Sequence, residues 1–141
     1  MPAKHPYAIH CLRPFTADEA RLLSFVVSRE HPNRMHEIDG LMVVGRCGCE
    51  KCPTILLGRG PQALPEGPSY DLTHIVYVGA NPQGVSVAVA LLERRGRFSE
   101  LEAWSFSGEE VRSWPRPEDL QATADFFHQR QWPSPPSTWA R

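Results

Sequence analysis

The chain has 141 residues, 15 Lys and Arg against 16 Asp and Glu, and a formal net charge of −1. A chain of this length is one typical domain able to bury roughly two thirds of its unfolded surface, and 41% hydrophobic with 22% charged residues excludes disorder throughout. The even charge balance argues against nucleic acid as a partner, and no run approaches the ~18 apolar residues of a membrane span.

The first seven residues, MPAKHPY, lack the apolar core of a secretory signal. The expectation is a cytoplasmic protein, where clustered cysteines are more often reduced thiols or metal ligands than structural disulfides.

Thr16-Ala17-Asp18-Glu19 has the S/T-x-x-E form of a capping box, with Pro14 and Phe15 just before it. Leu22, Leu23, Phe25, Val26 and Val27 follow as a broad apolar stripe, and His31-Pro32-Asn33 stops the run. The spacing predicts a helix over 17–30. The periodicity then changes to that of strands. Apolar runs at 41–44 and 54–57 flank a cysteine-rich connection and read as a hairpin with a wide link. Residues 58–71 form a Pro/Gly loop without periodicity.

Strands are predicted next at 74–78 and 85–92, joined by 79–84. In the second, Val85, Val87 and Val89 alternate with the small Ser86, Ala88 and Ala90. Arg94-Arg95-Gly96-Arg97 makes a tight turn into a strand over 98–106, where Leu101, Ala103 and Ser105 alternate with Glu102, Trp104 and Phe106. Trp114-Pro115-Arg116-Pro117 is a rigid connector, and Pro117-Glu118-Asp119 suits a helix start, with Leu120, Ala124 and Phe127 on one face. The predicted fold is therefore α+β: an antiparallel meander of about five strands, with an N-terminal and a C-terminal helix packed on one face. Residues 1–131 form a single domain, followed by a Pro/Trp tail over 132–141.

Three of the four cysteines lie in Cys47-Gly48-Cys49-Glu50-Lys51-Cys52. Cys49 and Cys52 have the C-x-x-C spacing that lets two thiolates take adjacent corners of a zinc tetrahedron, and Cys47 offers a third. A closed site needs a fourth ligand, for which Cys11 beside His10, His36 and His74 are the candidates. Two alternatives stand beside zinc. The thiols can be structural elements of a turn, or a redox pair. Pro53, Thr54 and Ile55 point to a following strand rather than the helix that a thioredoxin-like motif opens. Cys11 by itself reads as a small apolar core residue.

Other segments supply weaker signals. His36-Glu37-Ile38-Asp39 brings an imidazole near two carboxylates, the ingredients of acid–base chemistry and equally of a polar loop. His74 reads as a structural histidine at a strand start. Ser24 and Ser28 sit on a helix without a nucleophile elbow, and Gly58-Arg59-Gly60 lacks the lysine and helix of a phosphate loop. Arg94, Arg95 and Arg97, flanked by Glu93 and Glu100, read as a solvated hairpin tip rather than a phosphate site. Trp114, Trp132 and Trp139 lie beside prolines or in the tail. With Tyr70 of the Pro/Gly loop, they are the candidate anchors of a protein interface, the alternative for the tryptophans being that they staple the tail to the sheet.

The segment from Val44 through Cys47-Gly48-Cys49 to Cys52-Pro53-Thr54 resembles a family of small bacterial proteins, as do Phe98 to Phe106 and Trp114 to Leu120. That family carries R-C-x-C-x-C-P-like, L-S-x-L-E-like and P-x-P-x-x-L segments and has no settled activity. The likeness covers about residues 40–120. This chain departs from the pattern by spreading its last two cysteines with Glu50 and Lys51. The resemblance implies a compact bacterial domain.

No segment assembles a nucleophile, a base and an oxyanion site, so a non-enzymatic role is expected. The leading expectation is a protein that binds another protein, with immunity or antitoxin-like neutralisation of a toxin as its specific form. The alternatives are a zinc-stabilised domain using Cys47, Cys49 and Cys52, and a hydrolase or transferase using His36, Glu37 or Asp39.

Overall fold

The structure is a computed structural model that describes residues 5–68 and 75–123. Tyr70, His74, Trp132 and Trp139, the tail over 132–141 and the remainder of the predicted C-terminal helix lie outside the described residues.

Strand β1, Ala8–Arg13, comes first and leads into helix α1, Ala17–Glu30. The predicted capping box is present: Thr16 Oγ1 accepts the Glu19 amide at 3.2 Å, and Glu19 Oε1 accepts the Thr16 amide at 2.9 Å. The same carboxylate takes both ends of the Arg13 guanidinium, at 2.7 and 2.9 Å. The helix start is thereby locked to the end of β1. Bidentate guanidinium–carboxylate pairing of this kind fixes direction as well as distance. Burial raises the Glu19 carboxyl, but the Arg13 guanidinium and the Thr16 amide more than offset it and leave the group below its ordinary value. At Pro32 the α-helix stops as expected, and the chain continues as a 3-10 segment, Pro32–Ile38.

The remaining strands are β2 (Met42–Cys47), β3 (Ile55–Gly58), β4 (Val76–Ala80), β5 (Ser86–Arg94), β6 (Arg97–Ser105) and β7 (Gln121–Ala122). They form one seven-stranded sheet in the order β1-β2-β3-β6-β5-β4-β7, with every pairing antiparallel. The α+β class stands, while the five-strand meander is corrected in three respects. First, Ala8–Arg13 is a strand that the sequence does not signal, because the apolar Leu12 on its exposed side and the polar Arg13 on its half-buried side break the alternation. Second, β3 pairs with β6 rather than with β4, through Ile55 opposite Leu101 and Leu56 opposite Glu100. The long Pro/Gly connection after β3 releases the chain from hairpin geometry, so proximity in sequence no longer dictates pairing.

The third correction concerns the C-terminal segment. Pro117–Asp119 is a single 3-10 turn, and Gln121–Ala122 then pairs with Val78 and Tyr77 as β7. Gly79 of β4 makes this possible: a Cβ there would stand 2.5 Å from the Asp119 carbonyl oxygen. The turn presses onto β4 and its chain is drawn into the sheet edge, so tertiary pairing overrides the local helix-start signal.

Leu22, Leu23, Val26 and Val27 of α1 pack in one core with Val43, Ile55, Leu57, Val87, Val89, Leu91 and Leu101. Phe25 meets Tyr77 edge-on, with ring centroids 5.9 Å apart. Sequence alternation suggested one covered face, but Val44, Leu56, Val78, Ala88, Ala90 and Leu92 on the opposite side of the strands are buried too. On that side Leu64 of the Pro/Gly loop reaches Gly45.

The β5–β6 turn has Arg95 at φ +54° and Gly96 at φ +75°, the left-handed pair that a two-residue hairpin requires. In the β4–β5 turn, buried Asn81 accepts the amides of Gln83 and Val85 on its side-chain oxygen, both at 3.0 Å. No helix among the described residues is long and apolar enough to cross a membrane.

Glu30 ends α1 in an awkward position. Its Oε1 accepts the Ile75 amide at 3.1 Å, while Oε2 is buried without a partner among the described residues. Burial pushes its carboxyl up to about 7, the Ile75 amide opposes this, and the negative field of Glu93 adds to it. A folded-state value above the unfolded one means that Glu30 binds its proton more tightly in the native state. Its ionisation therefore costs stability progressively as pH rises from about 4.5 to 7, and fully above that. Glu30→Gln keeps an acceptor for the Ile75 amide and removes the charge. Urea unfolding near pH 8 is expected to show the variant more stable than wild type by about 1 kcal/mol after allowance for solvent screening, with the two converging near pH 5.

Candidate metal centre

β2 ends at Cys47 and β3 begins at Ile55, and the intervening residues fold into a compact knuckle. The Cys47 amide donates to the Thr54 carbonyl at 3.3 Å, so the two strand ends are closed across the base of the loop. The Glu50 amide then donates back to the Cys47 carbonyl at 3.1 Å, with Glu50 at φ +61°. This left-handed residue turns the chain so that the following amides face inward. The Lys51 and Cys52 amides donate to Cys49 Sγ at 3.4 and 3.3 Å, and the Cys49 amide donates to Cys47 Sγ at 3.5 Å.

The result is a convergence of sulfurs. Cys49 Sγ and Cys52 Sγ stand 3.3 Å apart, and all three Sγ atoms of Cys47, Cys49 and Cys52 lie within 4.8 Å of one another. A Zn–S bond of about 2.3 Å places neighbouring thiolates of a tetrahedron about 3.8 Å apart, inside that range. All four cysteines, Cys11 included, are free thiols and half-buried.

The three thiols of the knuckle are not equivalent. Burial raises Cys49, but the Cys52 and Lys51 amides more than offset it and bring that thiol down to about 7. Cys47 is pushed up to about 12, first by burial. Cys52 is also raised, again chiefly by burial. One sulfur is prepared to be an anion by backbone dipoles, and the other two hold their protons until a cation compensates them. A metal ion held by the three would do this by taking the place of their protons.

The N-terminal segment lies across the knuckle. The Gly48 amide donates to the Tyr7 carbonyl at 3.1 Å, and a side chain at Gly48 would collide with the Pro6 carbonyl. Glycine here is a requirement of close approach. The Tyr7 hydroxyl donates to both oxygens of the buried Glu100 carboxylate, at 3.0 and 3.2 Å. His5, Tyr7, Cys47, Cys52, Glu100 and Glu102 line a common cleft of about 200 Å³. The sequence did not single out His5, Tyr7 or Glu100 as part of a site. Tyr7 and Glu100 are 93 residues apart, and only the sheet joins them.

The other predicted residues are placed elsewhere. No second trio of His, Cys, Asp or Glu among the described residues converges as closely, so Cys11, His10 and His36 do not join the sulfurs. Cys11 lies on β1, where its thiol interacts with Arg13. Glu37 is committed to Arg34, with contacts of 2.6 and 2.9 Å, and His36, Glu37 and Asp39 do not meet at one point. Trp114 is half-buried against the core, and its indole N–H is buried without an acceptor among the described residues. Its packing is that of a core edge. No protein-family model, curated protein or solved structure matches this chain.

Replacing Gly48 by alanine would force the knuckle and the His5–Tyr7 segment apart. Gly48→Ala is expected to lower stability by about 2 kcal/mol in denaturant unfolding, whereas alanine at Gly60, where a Cβ meets nothing within 4 Å, leaves it within about 0.5 kcal/mol.

Proposed function

We propose that this chain is a zinc-binding domain in which Cys47, Cys49 and Cys52 hold the metal, and the metal fixes the β2–β3 connection against the N-terminal segment. The observation that carries the reading is the meeting of three sulfurs within 4.8 Å, on a connection whose amides already point at one of them. The donor set favours zinc or copper(I) over magnesium and calcium, which seek oxygen. Three thiolates leave one tetrahedral position for water or a further donor, and His5 stands in the adjoining cleft. With a protein donor such as His5 in the fourth position the site is closed and the part played by the metal is structural, its binding free energy contributing to folding. The segmental resemblance to small bacterial proteins adds a bacterial setting and brings no activity.

Protein purified without an affinity metal is expected to contain about one zinc per chain by elemental analysis. Chelation is expected to lower its melting temperature by about 10 °C, and Cys49→Ser to lose both the metal and the chelator response. Metal-free protein whose melting ignores chelator overturns the reading, and copper in place of zinc overturns the identity of the ion.

The second reading is a protein-binding role, with toxin neutralisation of the immunity type as its specific form. The observation that favours it is Leu12, 52% exposed on β1 at the edge of the sheet. An edge strand with an exposed apolar side chain is a template for adding a partner's strand. If this edge is the docking site, Leu12→Lys will abolish a complex detected by size-exclusion of native extracts and leave the melting temperature within about 2 °C. A complex that survives the substitution removes β1 from consideration.

A further inference from the structure

Two basic features that look unrelated in the sequence meet in three dimensions. Arg59 follows β3 directly, while Arg94 and Arg97 stand opposite each other at the base of the β5–β6 turn. All three line one cleft of about 550 Å³, whose floor is formed by Leu41, Leu57 and Phe98. A cleft of this size with an apolar floor and a few convergent polar groups has the character of a small-molecule site.

We propose that this cleft binds a small molecule that carries an oxyanion, phosphate or carboxylate, on an apolar body. The charge arrangement carries the proposal. Arg59 is oriented by backbone carbonyls alone, those of Asp39 and Glu37, the latter at 2.9 Å. Neither Arg59 nor Arg97 has a carboxylate partner among the described residues. The acid on the rim, Glu37, is taken by Arg34 at 2.6 Å. Arg94 donates to the Gly67 carbonyl at 3.0 Å, which holds the Pro/Gly loop at the mouth. An oxyanion in the cleft would meet the guanidinium groups of Arg59 and Arg97, which no described carboxylate neutralises. The guanidinium fork suits such a group bidentately.

A second cleft, of about 570 Å³, is lined by more arginines but lacks this property. Arg13, Arg21, Arg46, Arg112 and Arg116 there pair with Glu19, Asp18, Glu50, Glu110 and Asp119 respectively. Its cations are already neutralised. In the Arg59 cleft, Gly58 contributes by its size: a side chain there would displace the Gln62 carboxamide, which lines the same wall.

The test uses the full chain, ¹⁵N-labelled, at low salt, titrated with phenyl phosphate, benzoate and phenol. Arg97 is exposed beside the turn, so Arg97→Gln leaves the fold intact. Arg112→Gln is the charge-matched control from the second cleft. Saturable shifts at Gln62, Arg97 and Ser99 with phenyl phosphate or benzoate and none with phenol, weakened at least about fivefold in Arg97→Gln and unchanged in Arg112→Gln, establish the site. The tighter of the two anions identifies the oxyanion. No saturable shift, equal binding of phenol, or equal loss in both variants overturns the proposal.

Discussion

The antiparallel pairing of β3 with β6 joins two otherwise separate units, the three-stranded β1-β2-β3 and the four-stranded β6-β5-β4-β7. Its ladder is short, Ile55 opposite Leu101 and Leu56 opposite Glu100. The Thr54 side chain lengthens it, accepting the Ala103 amide at 3.0 Å and donating to the Ala103 carbonyl at 3.4 Å. Every residue of β3 is buried, so the seam is stabilised by apolar burial on both faces as well as by hydrogen bonds. A strand of four residues could not hold this position at an edge.

Both candidate sites hang from the ends of that seam. Cys52, Pro53 and Thr54 lead into β3, and Arg59 leaves it. The cysteine knuckle thus faces the end of β6 near Ala103, while the arginine cleft faces its start near Phe98 and Ser99. A distortion of β3 would move both sites at once, since backbone displacement along one buried strand is transmitted through a close-packed core.

Polar ties hold the periphery to this centre. Arg34 joins the 3-10 segment to the β5–β6 hairpin: it binds Glu93 at 2.7 Å and the Gly96 carbonyl at 2.8 Å, and its guanidinium lies 4.1 Å from the Phe98 ring centroid. His31 approaches the same Glu93 carboxylate at 3.6 Å. This network sets one wall of the arginine cleft and leaves Glu37 neutralised beside it. At the opposite end of α1, Arg13, Thr16 and Glu19 fix the helix to β1. The helix is therefore anchored at both ends, and its apolar stripe has one register available against the sheet.

Local chemistry was sufficient wherever a signal and its partner lie within a few residues. Thr16 and Glu19 cap α1 as their spacing requires, Pro32 ends it, and Arg95-Gly96 makes the tight turn. Cys47, Cys49 and Cys52 lie within six residues of one connection, so their sulfurs meet without help from a distant segment. Long-range pairing was not legible. Alternation identifies a strand but not its neighbour, so β3 beside β6 depended on a loop too long to enforce a hairpin. The segment at 117–122 carries a helix-start signal, yet Gly79 opens room on β4 and the sheet captures it. The Tyr7–Glu100 bond and the meeting of Arg59 with Arg94 and Arg97 join residues that only the completed sheet brings together. The sequence by itself determined the helix, its cap, the turns and the trio of thiols, because those interactions close over short loops. Strand order, the second buried face and the arginine cleft were decided by the tertiary structure, because they depend on which distant apolar surfaces bury each other.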